Sequence, residues 1–150
     1  HDNKNFHPSE NIIIRRPIPP EKTIIVNWIK KNFSQSWADE CEISFSNKPV
    51  SCFIAQIDKN IIGFACYEAT MKNFFGPFGI LPSYRNQYIG KSLLFHSLLS
   101  MKEMGYAYCI IGGAGPIEYY KKFLPVVPIS NSIPGIYENM LISDDESFHL

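Results

Sequence analysis

The chain has 150 residues, the size of one domain, with 45% hydrophobic and 19% charged residues. That is enough apolar content to bury a core without staples, and too much for a disordered chain. The formal net charge is zero, which excludes a dedicated nucleic-acid binder, because phosphate neutralisation needs clustered Lys and Arg; no apolar run approaches the roughly 18–20 residues of a membrane span, so no membrane partner is expected.

Residues 1–10, HDNKNFHPSE, are polar and have no apolar core. They read as a disordered or tag-like tail and not as a signal peptide. Residues 11–150 are expected to form a single domain. Asn11 to Arg16 (NIIIRR) predicts a first strand, ended by Pro17, Pro19 and Pro20, which cannot donate to a ladder. Glu21 to Phe33 predicts a helix: Ile24, Ile25, Trp28 and Ile29 fall at helical spacing, and Lys30 and Lys31 sit where the dipole favours cations. Ser34 to Pro49 is polar with isolated aromatics and reads as a loop with at most a short helix. Val50 to Asp58 and Ile61 to Thr70 are two β-rich runs around the hairpin signal Lys59-Asn60. Asn73 to Leu81 predicts a further strand, with a bulge where Gly76 and Pro77 interrupt it.

Ile89 to Met104 places Ile89, Leu93, Leu94, Leu98, Met101 and Met104 on one helical face, with Gly105 at the C-terminal cap. Tyr106 to Ile111 predicts a strand. Gly112 to Gly115 reads as a turn; it lacks the spacing of a dinucleotide loop. Pro116 to Leu124 predicts a short helix with Pro at its first position. Val126 to Ile129 and Ile136 to Ile142 predict two last strands. The order of elements is that of a mixed α/β domain, a central sheet with helices on its faces.

The four cysteines, Cys41, Cys52, Cys66 and Cys109, have no zinc-knuckle spacing. No metal is expected, and free thiols in a reducing cytoplasm are the expected state. His96 reads as a surface or core-edge imidazole.

The stretch that carries chemistry is Ile80 to Leu94, ILPSYRNQYIGKSLL. A strand ends, Pro82 turns the chain, and a helix begins near Ile89. A helix start offers N–H groups and partial positive charge, Gly90 lets backbone approach a ligand, and Arg85 and Lys91 add charge. Together these suit a diphosphate. Gly90-Lys91-Ser92 spells the end of a P-loop, but Arg85 stands where that loop needs its first Gly, so it cannot wrap a phosphate in that way.

The stretch resembles the acetyl-CoA signature of the GNAT superfamily, V-x-P-x-Y-R-x-x-G-x-G-[KR]-x-L-L. Ile80, Pro82, Tyr84, Arg85, Gly90, Lys91, Leu93 and Leu94 match; Tyr88 replaces the first Gly of the core. The resemblance implies an α/β fold with a mixed central sheet of about six or seven strands, splayed in the middle and flanked by about four helices. It implies acetyl-CoA as cosubstrate and acetyl transfer to a primary amine, carried by a small molecule or a peptide, by direct attack in a ternary complex. It makes Phe78, Gly79 and Ile80 the strand that pairs with the pantetheine arm, with the Ile80 N–H near the thioester carbonyl. The pyrophosphate would lie on the loop and helix start: Arg85, Asn86, Gln87, Tyr88, Ile89, Gly90, Lys91 and Ser92. Such folds commonly dimerise, so a homodimer is compatible with the resemblance.

Ile117 to Phe123 (IEYYKKF) resembles the family's A-x-x-x-Y-E-K-x-G-F helix. The alignment makes Tyr120 the general acid to the leaving CoA thiolate, with Tyr119 the competitor one position away. The family's Asn seven residues earlier is replaced by Gly113. Many relatives take the amine proton on a Glu of the splayed strand, but no acid lies between Met71 and Leu81 here. Glu68 is the first candidate base, followed by Glu118 and Glu138; a solvated surface role is the alternative for each. Trp37 and Glu40, with Asp39 beside them, sit where relatives build the acceptor pocket, and an aromatic with carboxylates suits a cationic amine. Phe74 and Phe75 read as core, with a wall on the acceptor side as the alternative. A fold that holds acyl-CoA as a sensor or scaffold without turnover is the competing reading; an NTP-binding protein is a third.

Overall fold

The computed structural model describes residues 11–85 and 88–144. By its internal contacts the chain divides into two compact units, one up to Gly115 and one from Pro116.

The first unit holds a five-stranded sheet in the order β1-β2-β3-β4-β5. The strands are β1 (Ile12–Arg15), β2 (Cys52–Ile57), β3 (Asn60–Tyr67), β4 (Phe74–Ile80) and β5 (Ile110–Ile111). β1 to β4 form an antiparallel meander, and β5 joins β4 in parallel. The helices are α1 (Lys22–Asn32), α2 (Gln35–Ser44) and α3 (Ile89–Glu103). Both faces of the sheet are covered. Cys52, Ile54, Phe64 and Cys66 join Ile25, Ile29, Ala38 and Cys41 of α1 and α2 in one buried cluster. The alternate residues face α3, where Phe53 meets His96 at 5.2 Å between ring centroids. A strand buried on both faces reads as a continuous apolar run, which is why β2 and β3 lack polar alternation.

Two departures from the sequence reading lie here. Residues 35–44 form a ten-residue helix, not a loop. Ser34 caps it, its side chain accepting from Trp37 N at 3.1 Å. Its buried stripe is Ala38, Cys41 and Ser44, small residues that carry little hydrophobic signal. Strand Tyr106–Ile111 shrinks to Ile110–Ile111, because pairing with β4 covers only Phe74 and Phe75.

The second unit holds α4 (Ile117–Lys121) and a single 3₁₀ turn at Gly135–Tyr137. Neither Val126–Ile129 nor Ile136–Ile142 is a strand. Pro125, Pro128 and Pro134 remove N–H donors in and beside those runs. The sheet therefore has five strands among the described residues, not six or seven, with four α-helices.

Candidate active site: strand β4 and a helix start

β4 is the centre of the site. Its expected bulge is present: from Phe75 to Phe78 it takes three steps against the two from Tyr67 to Ala65 on β3. Pro77 has no N–H and Gly76 sits at φ 121, so pairing with β5 stops at Phe75. β5 itself ends there, at Ile111. The side of β4 that β3 occupies is fully used: Leu81 N still donates to Ile62 O at 2.9 Å. Hydrogen-bonded and non-bonded pairs alternate along an antiparallel ladder. Ile62 and Leu81 are bonded, so Ile80, opposite Gly63, turns its own N–H and C=O to the edge away from β3. Ile80 O there accepts from Arg85 Nε at 3.1 Å. Arg85 thus braces the turn, a role its sequence match does not announce.

Pro82–Tyr84 form a single 3₁₀ turn, and α3 starts at Ile89. The first helical bond runs from Ser92 N to Tyr88 O at 3.0 Å. The N–H groups of Ile89 and Gly90, ahead of it, point out along the axis, with the positive end of the dipole. Tyr88 caps the helix at φ 58, ψ 7. This left-handed geometry is the one a signature Gly adopts without cost, and it costs an ordinary residue roughly 1–2 kcal/mol. The Lys91 ammonium lies 5.7 Å from the Tyr88 ring centroid. A cavity of about 240 Å³ opens there, lined by Tyr88, Lys91, Ser92, Phe95 and His96. Tyr88→Gly is expected to keep stability within about 1 kcal/mol, relief of strain offsetting the added chain entropy. Tyr88→Val, β-branched in the same geometry, is expected to lose about 1–2 kcal/mol. Thermal unfolding of the pair checks this. Asn86 and Gln87, between turn and helix, lie outside the described residues.

On the face of the sheet carrying α1 and α2, aromatics close over β4. Phe33 and Trp37 stack at 5.3 Å between centroids, and Phe64 meets both. They rest on Gly79: a Cβ there would stand 2.7 Å from the Phe33 ring and 3.1 Å from Trp37 Cζ3. The fold thus brings the predicted Trp37 and Gly79 together. Gly79→Ala is expected to cost about 1–3 kcal/mol and to displace this wall, seen as a fall in Tm with altered Trp fluorescence. Glu40, one helical turn beyond Trp37, accepts from the Thr70 hydroxyl on the β3–β4 loop. Asp39 accepts from Gln35 Nε2 at 2.8 Å.

Glu68 is placed elsewhere. It follows the end of β3, five residues past the partner of Ile80, or roughly 15 Å along the strand. Its carboxylate accepts from the Tyr106 hydroxyl, a bond that raises the phenol pKa of Tyr106. It lines a second cavity of about 230 Å³ with Arg16, Asn47, Ser51, Tyr67 and Glu103. Arg16, which the sequence did not single out, donates to Val50 O and Tyr67 Oη at 2.6 Å and to Ser100 Oγ at 3.0 Å. Phe75 is buried opposite Tyr67, a core residue.

In the second unit, Tyr120 lies on α4, its ring edge-on to Tyr119 at 5.3 Å. Burial raises the phenol pKa of Tyr119, which makes it a poorer proton donor than an ordinary tyrosine. Glu118 is exposed and pairs with Lys121 at 3.7 Å. Glu138 sits in an exposed turn.

Residues 22–123 match the model of the acetyltransferase (GNAT) family. The chain belongs to that family. A GNAT family acetyltransferase from Brucella melitensis, in complex with acetyl-CoA, superposes with a TM-score of 0.59 at 19% identity over 78% of this chain and 91% of that one. A GNAT family N-acetyltransferase from Escherichia coli, in complex with CoA, gives 0.57 at 21% identity over 77% and 69%. An aminoglycoside acetyltransferase from an uncultured soil metagenomic sample, in complex with trehalose, gives 0.58 at 14% identity over 81% and 92%. Likeness at these identities establishes the GNAT fold. No curated protein matches the chain. No helix among the described residues is long and apolar enough to cross a membrane.

Phe33 is the site residue that sequence reasoning passed over, as an isolated aromatic. Its position at the α1–α2 junction, four residues before Trp37, was the available signal.

Proposed function

We propose that the chain transfers an acetyl group from acetyl-CoA to a primary amine on a small molecule or peptide, by direct attack in a ternary complex. The observation that carries this reading is a β4 that runs to Ile80, beyond the end of its β5 ladder at Phe75, and leads through one turn to the start of α3, on a family member. The β4 edge at Phe78, Gly79 and Ile80 suits a pantetheine arm, which would add to it as a strand. The α3 start from Tyr88 to Ser92, with Lys91, suits a diphosphate. The Ile80 N–H is the donor for a thioester carbonyl, a bond that strengthens as negative charge develops. Tyr120 would then protonate the leaving thiolate: a phenol of pKa about 10 is protonated at neutral pH and can give its proton to a thiolate of pKa about 8.5.

The acceptor side is assigned to Trp37 and Glu40, which share one face of α2 close to β4. The aromatic wall and a carboxylate favour a cationic amine. Of the carboxylates considered, Glu40 and Glu68 are both engaged by hydroxyls, Glu40 by Thr70 and Glu68 by Tyr106, and neither is assigned the amine proton. That engagement is what favours the second reading, a fold that binds acyl-CoA without turnover. A single domain over residues 11–150 is supported by the family match, which runs through the junction of the two units. The free cysteines support a cytoplasmic setting.

Calorimetric titration with acetyl-CoA, with ATP and magnesium as control, tests the reading. Binding of acetyl-CoA at about micromolar affinity, with none of ATP, is the expected result and opens an amine screen. ATP binding without acetyl-CoA binding would sink it.

A further inference from the structure

Three cysteines far apart in sequence meet in the core of the first unit. Cys52 and Cys66 are direct partners across β2 and β3, and Cys41 comes down on them from α2. Their sulfurs all lie within 4.8 Å of one another. All three residues are fully buried and carry free thiols. Around them are Ile25, Ile29, Ala38, Ile54 and Phe64. The nearby Ser44 hydroxyl is committed to the Cys41 carbonyl, to which it donates at 2.6 Å.

We propose that Cys41, Cys52 and Cys66 form a three-sulfur site for a trivalent thiophilic metalloid, the chemistry of arsenous acid. Charge and coordination number select that class. Three thiolates around a trivalent centre make a neutral complex, which an apolar, buried core tolerates. The same thiolates leave one negative charge on a divalent ion and two on monovalent copper, and a buried net charge is strongly disfavoured. Zinc wants four ligands in a structural site, and among the described residues no fourth His, Cys or carboxylate joins the three. A trivalent metalloid with a lone pair is satisfied by three. The step exchanges ligands without electron transfer: three As–O and three S–H bonds break, three As–S bonds form, and three waters leave. The bound centre joins α2, which carries Trp37 and Glu40, to the sheet.

The test uses the full reduced chain and one equivalent of arsenite. Expected are the mass gain of one arsenic less three protons, protection of three of the four cysteines from alkylation, and a rise in Tm. Peptide mapping is expected to leave Cys109 alkylated, and Cys109→Ser to leave uptake unchanged. Cys41→Ala is expected to lose uptake at equimolar arsenite. Because that variant can disturb the core, the mass and the mapping on the unaltered chain decide by themselves. Absence of uptake, arsenic on Cys109, or loss of two hydrogens to a Cys52–Cys66 disulfide would each overturn the site. Equal retention of zinc or monovalent copper in competition would overturn the choice of ion.

Discussion

Tyr120→Phe is expected to lower acetyl transfer by about 10²–10⁴-fold, the usual worth of a positioned proton donor, while acetyl-CoA affinity stays unchanged. The substitution removes one hydroxyl and keeps the ring, so the edge-on contact with Tyr119 and the short helix Ile117–Lys121 are retained. Without the donor, a thiolate must leave unprotonated, and its departure becomes the slow step at neutral pH. Tyr119→Phe is the matched control: neighbours on a helix point in different directions, so it removes a hydroxyl that the alignment does not assign to the leaving group. Steady-state rates with a responsive amine, beside calorimetry with acetyl-CoA, check both. If Tyr119→Phe stops turnover and Tyr120→Phe does not, the alignment of this helix is off by one residue. If neither changes the rate, the leaving group takes its proton from water and the general-acid assignment fails. A wild-type chain that binds acetyl-CoA but acetylates no amine in a broad screen would favour the non-catalytic reading.

What the sequence disclosed follows from how local each feature is. The α1 and α3 periodicities and the β2–β4 meander are written in neighbouring residues and were legible. So was the bulge, because Gly76 and Pro77 act on their own backbone. α2 was not: its buried positions, Ala38, Cys41 and Ser44, are too small to mark a face. β5 was overread because an apolar run such as Tyr106–Ile111 becomes a strand only where it pairs with an edge, and pairing with β4 covers only Phe74 and Phe75. At the site, the loop from Ile80 to Leu94 was legible since its chemistry is backbone chemistry at a turn and a helix start. The geometry at Tyr88 gives the reason for the family's Gly: the position is left-handed, and this chain accepts the cost of a side chain there. The Phe33–Trp37 wall on Gly79, the Tyr106 partner of Glu68 and the trio of thiols are tertiary. Each joins segments about 25 or more residues apart in at least one pair, and no pattern within a window reports them.

Gly90→Glu is expected to raise stability and destroy cofactor binding at once. Gly90 is the second residue of α3. Replacing Gly inside a helix by a better helix former gains up to about 1 kcal/mol, and an acidic group in the first turn adds about 0.3–1 kcal/mol from the dipole. The fold should therefore melt higher. The same carboxylate stands where a diphosphate is proposed to sit. Two unit charges about 4 Å apart repel by about 4 kcal/mol at an effective dielectric of 20, and exposure and salt reduce this. A loss of about 2–4 kcal/mol, or roughly 30- to 1000-fold in acetyl-CoA affinity, is the expected result. Gly90→Gln supplies the bulk without the charge, so the difference between the two variants isolates the electrostatic part, and added salt should narrow it. The opposite signs make the experiment informative. A variant that merely unfolded would lose binding and stability together. A Gly90→Glu protein that melts higher and still binds acetyl-CoA as tightly as the unaltered chain would place the diphosphate somewhere other than the start of α3, and the reading of Arg85 to Ser92 as the cofactor loop would have to be abandoned.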